Sequence, residues 1–105
     1  MRVINLTPHQ VKLVTPSGVT SFEPSDVVAR CATTSEAVFV NGIDFPLTKT
    51  TFGEVEGLPE EKPDTMYIVS GLVLAQSGRK DLLAPGNLVR NDQGQVIGCG
   101  SFNVA

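Results

Sequence analysis

The chain has 105 residues, 41% of them hydrophobic, with six aromatics and no Trp, which suits one small domain (1–105) whose core is filled by Val, Leu and Ile. The formal charge of −3 is local: Glu54 to Asp64 (EVEGLPEEKPD) holds five acids against one Lys, a net of −4, and the other residues carry a net of +1. This balance argues against a binder of duplex nucleic acid, which usually shows a basic face or stripe, and no apolar run approaches the roughly 20 residues of a membrane helix.

In chain order, Val3 to Thr7 opens as a strand and Pro8-His9 interrupts it. Gln10 to Val14 alternates with period two, Thr15-Pro16-Ser17-Gly18 turns, and Val19 to Phe22 pairs back as a hairpin. After the Glu23-Pro24-Ser25-Asp26 turn, Val27 to Ala32 reads as a strand. Glu36 to Val40 and Ile43 to Leu47 flank Asn41-Gly42, the signature of a tight type I′ hairpin, and Pro46 places the second strand at an edge or ends it. Lys49 to Val55 continues extended, and a charged, Pro-bounded loop runs to Asp64.

Met66-Tyr67-Ile68-Val69 is the buried-strand pattern, and the periodicity then turns helical. Ser70 is the expected N-cap, Leu72 to Ala75 the apolar turn and Gly78 the stop. Pro85-Gly86 reads as a turn. Asn87 to Arg90 and Gln95 to Cys99 form a hairpin, and Gly100 to Ala105 is at most a further strand. The fold class is β-rich α+β: six to eight short strands and one short helix, arranged as a partly closed antiparallel sheet or small barrel. So small a core favours a homo-oligomer.

Chemistry-bearing residues are few. Cys31 and Cys99 have no metal spacing, and one His cannot complete a zinc set. Two structural thiols, no cofactor and no secretory leader are expected. Alternation puts Asn5, Thr7 and His9 on one side of an extended strand, as a polar wall for a ligand, a general base, or a strand end that satisfies its own backbone. No Gly-x-Ser-x-Gly elbow accompanies Ser70, and nothing brings His9 to either cysteine, so hydrolysis is the weaker reading. The Ser70-Gly71 helix start offers backbone donors to an anion. Arg30, Arg79 and Arg90 carry forks suited to phosphate, or pair with Asp26, Glu54, Asp81 or Asp92. Tyr67 and Phe52 could stack a base, whereas Phe39 and Phe45 are expected in the core. Glu54-x-Glu56 is too sparse for a metal site, and the acidic loop reads as a solvated connection.

The order of the blocks Asn5-Leu6-Thr7-Pro8-His9, Phe52 to Pro59 (FGEVEGLP), Tyr67 to Ser70 (YIVS), Asp81 to Gly86 (DLLAPG), Leu88-Val89-Arg90 and Gly94 to Cys99 (GQVIGC) resembles a family of small proteins encoded by bacteriophages and prophages. The resemblance implies a phage-related origin and a place in the bacterial host cytoplasm, and it carries no activity or catalytic residue onto this chain. The leading expectation is a non-enzymatic phage accessory protein that binds, and in one use sequesters, a phosphorylated, nucleotide-like small molecule such as a host immune signal. Asn5, Thr7, His9, Arg30, Ser70, Gly71, Arg79 and Arg90 would hold it. The alternatives are an inhibitor that engages a host protein through the acidic loop 54–64, and a virion or assembly protein.

Overall fold

The computed structural model describes residues 1–105. Eight strands and one helix follow in the order β1 (Arg2–Asn5), β2 (Val11–Thr15), β3 (Gly18–Phe22), β4 (Arg30–Val38), β5 (Leu47–Glu56), β6 (Thr65–Ile68), α1 (Gly71–Ser77), β7 (Leu82–Arg90) and β8 (Val96–Asn103). Six strands make one curled, open sheet in the order β1-β6-β7-β8-β2-β3, and β4 and β5 form a separate hairpin. The β-rich α+β class with one short helix is therefore correct, but the sheet is mixed. β1, β6 and β7 run parallel, β8 is antiparallel to β7, and β2 lies parallel to β8 with a single register pair, Leu13 to Cys99.

The parallel part is where the core sits. Parallel strands joined by a helical crossover are covered by that helix and read as near-continuous apolar runs, as Tyr67-Ile68-Val69 does. Ser70 accepts the Val73 amide at 3.2 Å, and Gly78 closes the helix in the left-handed region (φ 68°), its amide donating to Leu74. Helix α1 is thus stopped at both ends by local chemistry. Its Val73 and Leu74 pack with Leu6, Ala29, Tyr67, Val69, Leu82 and Ala84 into one buried cluster, and Cys31 and Val55 from the hairpin join its margin.

Beyond that root the β4–β5 hairpin leaves the body as an arm. Its ladder runs from Arg30↔Glu56 to Val38↔Leu47, and almost every residue between them is exposed. The radius of gyration is 17.0 Å, against about 13 Å for a compact chain of this length. The arm accounts for the excess.

Three expectations fail here for identifiable reasons. The arm does not end in a two-residue type I′ turn. A wider loop, Phe39 to Pro46, joins the strands, and Ile43 donates to the Val40 carbonyl around a turn in which Gly42 (φ 87°) but not Asn41 has positive φ. That is a type II pattern, which needs one left-handed residue rather than two. Phe39 and Phe45 are not core residues: carried on the loop far from the body, they are 96% and 65% exposed. Pro85-Gly86 does not turn the chain, since β7 runs through it, pairing Pro85 with Phe102 and Gly86 with Ser101. Past Leu83 the β6 side of β7 has no partner strand, so a residue without an N–H is tolerated there.

The arm's root depends on Gly57. It sits at φ 85°, and a Cβ there would fall on the Val28 carbonyl and 3.3 Å from Ala29 Cα, where the outgoing chain crosses the returning one. Gly57→Ala is expected to cost about 2–3 kcal/mol, from left-handed strain plus displacement of the crossing. Urea unfolding measures it. A loss below about 0.5 kcal/mol, the range of neutral surface changes, would show that the crossing is not tight.

Candidate functional site

The polar cluster at the start of the chain is arranged inward. Strand β1 ends at Asn5, so Asn5, Thr7 and His9 do not line one extended face. Asn5 is 2% exposed. Its amide nitrogen donates to the carbonyls of His9 (2.8 Å) and Phe22 (2.9 Å), and its Oδ1 accepts the Thr7 amide at 2.9 Å and lies 2.7 Å from the Thr7 hydroxyl. The Asn5 carbonyl also accepts both the amide and the hydroxyl of Ser25. Burial without these partners would be costly, and all of them are present. Asn5 therefore has no donor or acceptor left for a ligand. The His9 imidazole is exposed and hydrogen-bonds no other side chain; only its backbone takes part in the cluster.

The basic residues are dispersed. Arg79 Nε donates to Asp81 Oδ1 at 3.0 Å, Nη2 to Asp81 Oδ2 at 2.6 Å and Nη1 to the Pro59 carbonyl at 2.8 Å, with Glu61 3.6 Å away. The Asp81 hydrogen bond holds this guanidinium above its ordinary pKa, against the effect of partial burial. Its fork is thus spent on strapping the 57–64 loop to the body, helped by the Tyr67 hydroxyl donating to the Glu60 carbonyl. Arg90 donates to the Gly94 carbonyl and closes the β7–β8 turn. Arg79 lies before the start of β7 and Arg90 at its far end, with a nine-residue strand about 25 Å long between them, and each guanidinium already has its own partners. Arg30 is exposed at the root of the arm. Ser70 and Gly71 are exposed, with the Ser70 hydroxyl engaged in the cap. The structure does not gather the eight expected residues into one pocket.

The acidic segment is divided as well. Glu54 and Glu56 belong to the arm, while Glu60, Glu61 and Asp64 lie on the strapped loop. Cys31 and Cys99 are free thiols. Loss of hydration on burial raises the Cys99 pKa, and its Sγ lies 3.4 Å from the Lys12 carbonyl. Tyr67 is core, 1% exposed, and unavailable for stacking.

Two features escaped the sequence reading. The first is a cleft beside β1, lined by Arg2, Asn5, Ser25, Pro59, Lys62 and Tyr67 among others. Arg79 makes both ion pairs of the structure, so Arg2 and Lys62 form none, although Glu23, whose carboxylate accepts from Gln10, lines the same cleft. The second is the tip of the arm, where Phe39, Val40, Ile43 and Phe45 are exposed together around the turn. The signal for it was in Phe39-Val40-Asn41-Gly42-Ile43-Asp44-Phe45-Pro46: turn residues flanked by apolar side chains where a solvated hairpin end would carry polar ones.

No family model, no curated protein and no solved structure matches this chain. No helix is long and apolar enough to cross a membrane. Asn5→Ala should lower stability by about 3 kcal/mol, because it removes the partner of several partly buried backbone groups at once. Thr7→Val should cost only about 1 kcal/mol. Denaturant unfolding of the pair tests the cluster as a structural device, and equal small losses would refute that.

Proposed function

We propose that this chain is a non-enzymatic interaction module that engages a protein through the apolar tip of its β4–β5 arm, in an accessory or assembly role. One observation carries the reading: two phenylalanines, a valine and an isoleucine are presented to solvent at the end of a long polar hairpin rooted in the core. Clustered exposed apolar side chains of this kind mark interaction sites, and aromatic anchors dominate binding energy at interfaces. The shaft supports it too. Thr33, Thr34, Ser35, Thr48, Thr50 and Thr51 give it strand propensity with little apolar surface, and apart from Phe52, 46% exposed, its exposed large apolar side chains are gathered at the end. The resemblance to phage-encoded proteins is consistent with such a role in the cytoplasm of a bacterial host.

A photo-cross-linking residue at position 39 should trap a polypeptide, while the same group at exposed Val104 traps none. Phe39→Ser with Phe45→Ser should reduce capture at least about tenfold and change unfolding stability by less than about 0.5 kcal/mol. Absence of any polypeptide adduct at position 39 would overturn the proposal.

A phosphorylated small molecule remains a second reading, favoured by Arg2 and Lys62, which form no ion pair and outnumber the one acid, Glu23, at the cleft beside β1. Here the anion would sit between β1 and the strapped loop, and Ser70, Gly71, Arg79 and Arg90 would play no part. Calorimetry with ATP and a cyclic dinucleotide as probes should then register binding that Arg2→Ala with Lys62→Ala weakens by about tenfold or more. Heats no different from buffer for both probes would remove this reading.

A further inference from the structure

Resting on the arm as a docking element, we infer that its occupant is a second copy of this chain: two molecules exchange arms, each tip seated in a groove on the other's body. The groove lies where β2, β7 and β8 meet. β2 and β8 share only the Leu13↔Cys99 pair, and the groove is lined by Val11 and Lys12 of β2, Pro85 and Leu88 of β7 and Val96 of β8, with Ile97 in the adjoining hollow. Leu88, Val96 and Ile97 are 58%, 49% and 45% exposed, large values for apolar strand residues. The molecule therefore carries a protruding apolar element and a recessed apolar surface, on separate parts of the fold.

Their charges are complementary. Glu36 stands opposite Lys49 across the ladder, so the charge at the tip itself is Asp44, with no Lys or Arg from residue 37 to 48, whereas the groove bears Lys12 and no acid. Reciprocity follows from size. Covering two phenylalanines at 150–250 Å² each, with smaller shares from Val40 and Ile43, removes about 400–500 Å² from each arm. With the matching groove surfaces, one contact buries about 800 Å², a size typical of lattice packing, whereas two reciprocal contacts bury about 1,600 Å², the size of a stable interface. Arm exchange about a two-fold axis closes and leaves neither tip exposed. It also gives the ribbon, which as a two-stranded hairpin is marginal alone in water, a fixed environment at its far end.

Sedimentation and light scattering of the purified chain should give about twice 11.1 kDa at concentrations up to about 100 μM. A photo-cross-linker at position 39, in a mixture of isotopically light and heavy chains, should join light to heavy, with adducts on residues 85–98. Leu88→Asp lies on the surface and leaves the tip intact, and it should raise the dimer dissociation constant at least about tenfold. Lys12→Glu or Asp44→Lys alone should weaken association severalfold, and the two together should restore it. A monomer at every concentration, or a dimer whose position-39 adducts fall outside the groove, overturns the exchange. If the pure chain is monomeric while position 39 traps a different polypeptide, the self-association is wrong and the interaction module stands. If position 39 traps nothing, both are wrong.

Discussion

The fold depends on a closure made by one side chain. Strands β1 and β3 are the two edges of the curled sheet, and Asn5 at the end of β1 donates to the carbonyl of Phe22 at the end of β3. Its backbone adds a bridge to Pro24 and accepts Ser25. A sheet that curls through six strands without closing exposes two rows of unpaired backbone groups. Here the edges are brought together at one end by an amide that can donate twice and accept twice. No aliphatic residue could do this, and an Asp would lose both donors and introduce a buried charge. The Asn-Leu-Thr-Pro-His stretch thus has an architectural explanation.

The arm and the body are one mechanical unit. Cys31 and Val55 reach the same cluster that α1 and β6 bury, Gly57 allows the returning strand to pass against Val28, and Arg79 with Tyr67 ties down the loop that follows. These contacts fix the direction in which the hairpin leaves. A docking element held at its base loses less orientational freedom on binding than one on a floppy loop, so more of the contact energy appears as affinity. The same economy explains why Arg79 is held by Asp81: a guanidinium placed to anchor backbone carbonyls must itself be oriented.

The helix caps and two of the hairpins were legible in the sequence, whereas the Asn41-Gly42 turn type, the path through Pro85-Gly86 and the long-range pairing were not. Ser70 and Gly78 bracket α1 because a cap and a left-handed stop act within a turn of the helix. The β2–β3 and β7–β8 hairpins declare themselves through short turns. By contrast, nothing in Val3-Ile4-Asn5 announces Tyr67-Ile68 as its neighbour, and nothing in Leu13 announces Cys99. Phe39 and Phe45 were misplaced because apolar composition is the same for a residue that awaits a partner as for one in a core. The arginines misled for a related reason: a fork that would suit a phosphate suits a carboxylate and a carbonyl equally well, and Arg79 found those inside its own chain.

The register of β1 against β6 also determines when the molecule can become itself. Arg2 pairs with Thr65 and Asn5 with Ile68, more than sixty positions later, and Leu13 waits for Cys99. Closing contacts of such sequence separation is slow, whereas the β4–β5 ribbon is a local pairing that can form as soon as its own residues are made. During synthesis the residues of the hairpin and its aromatic end are therefore complete, and can pair transiently, before the body that roots them. The rate of completing β8 then sets how long the apolar end of the ribbon stays without the folded body behind it.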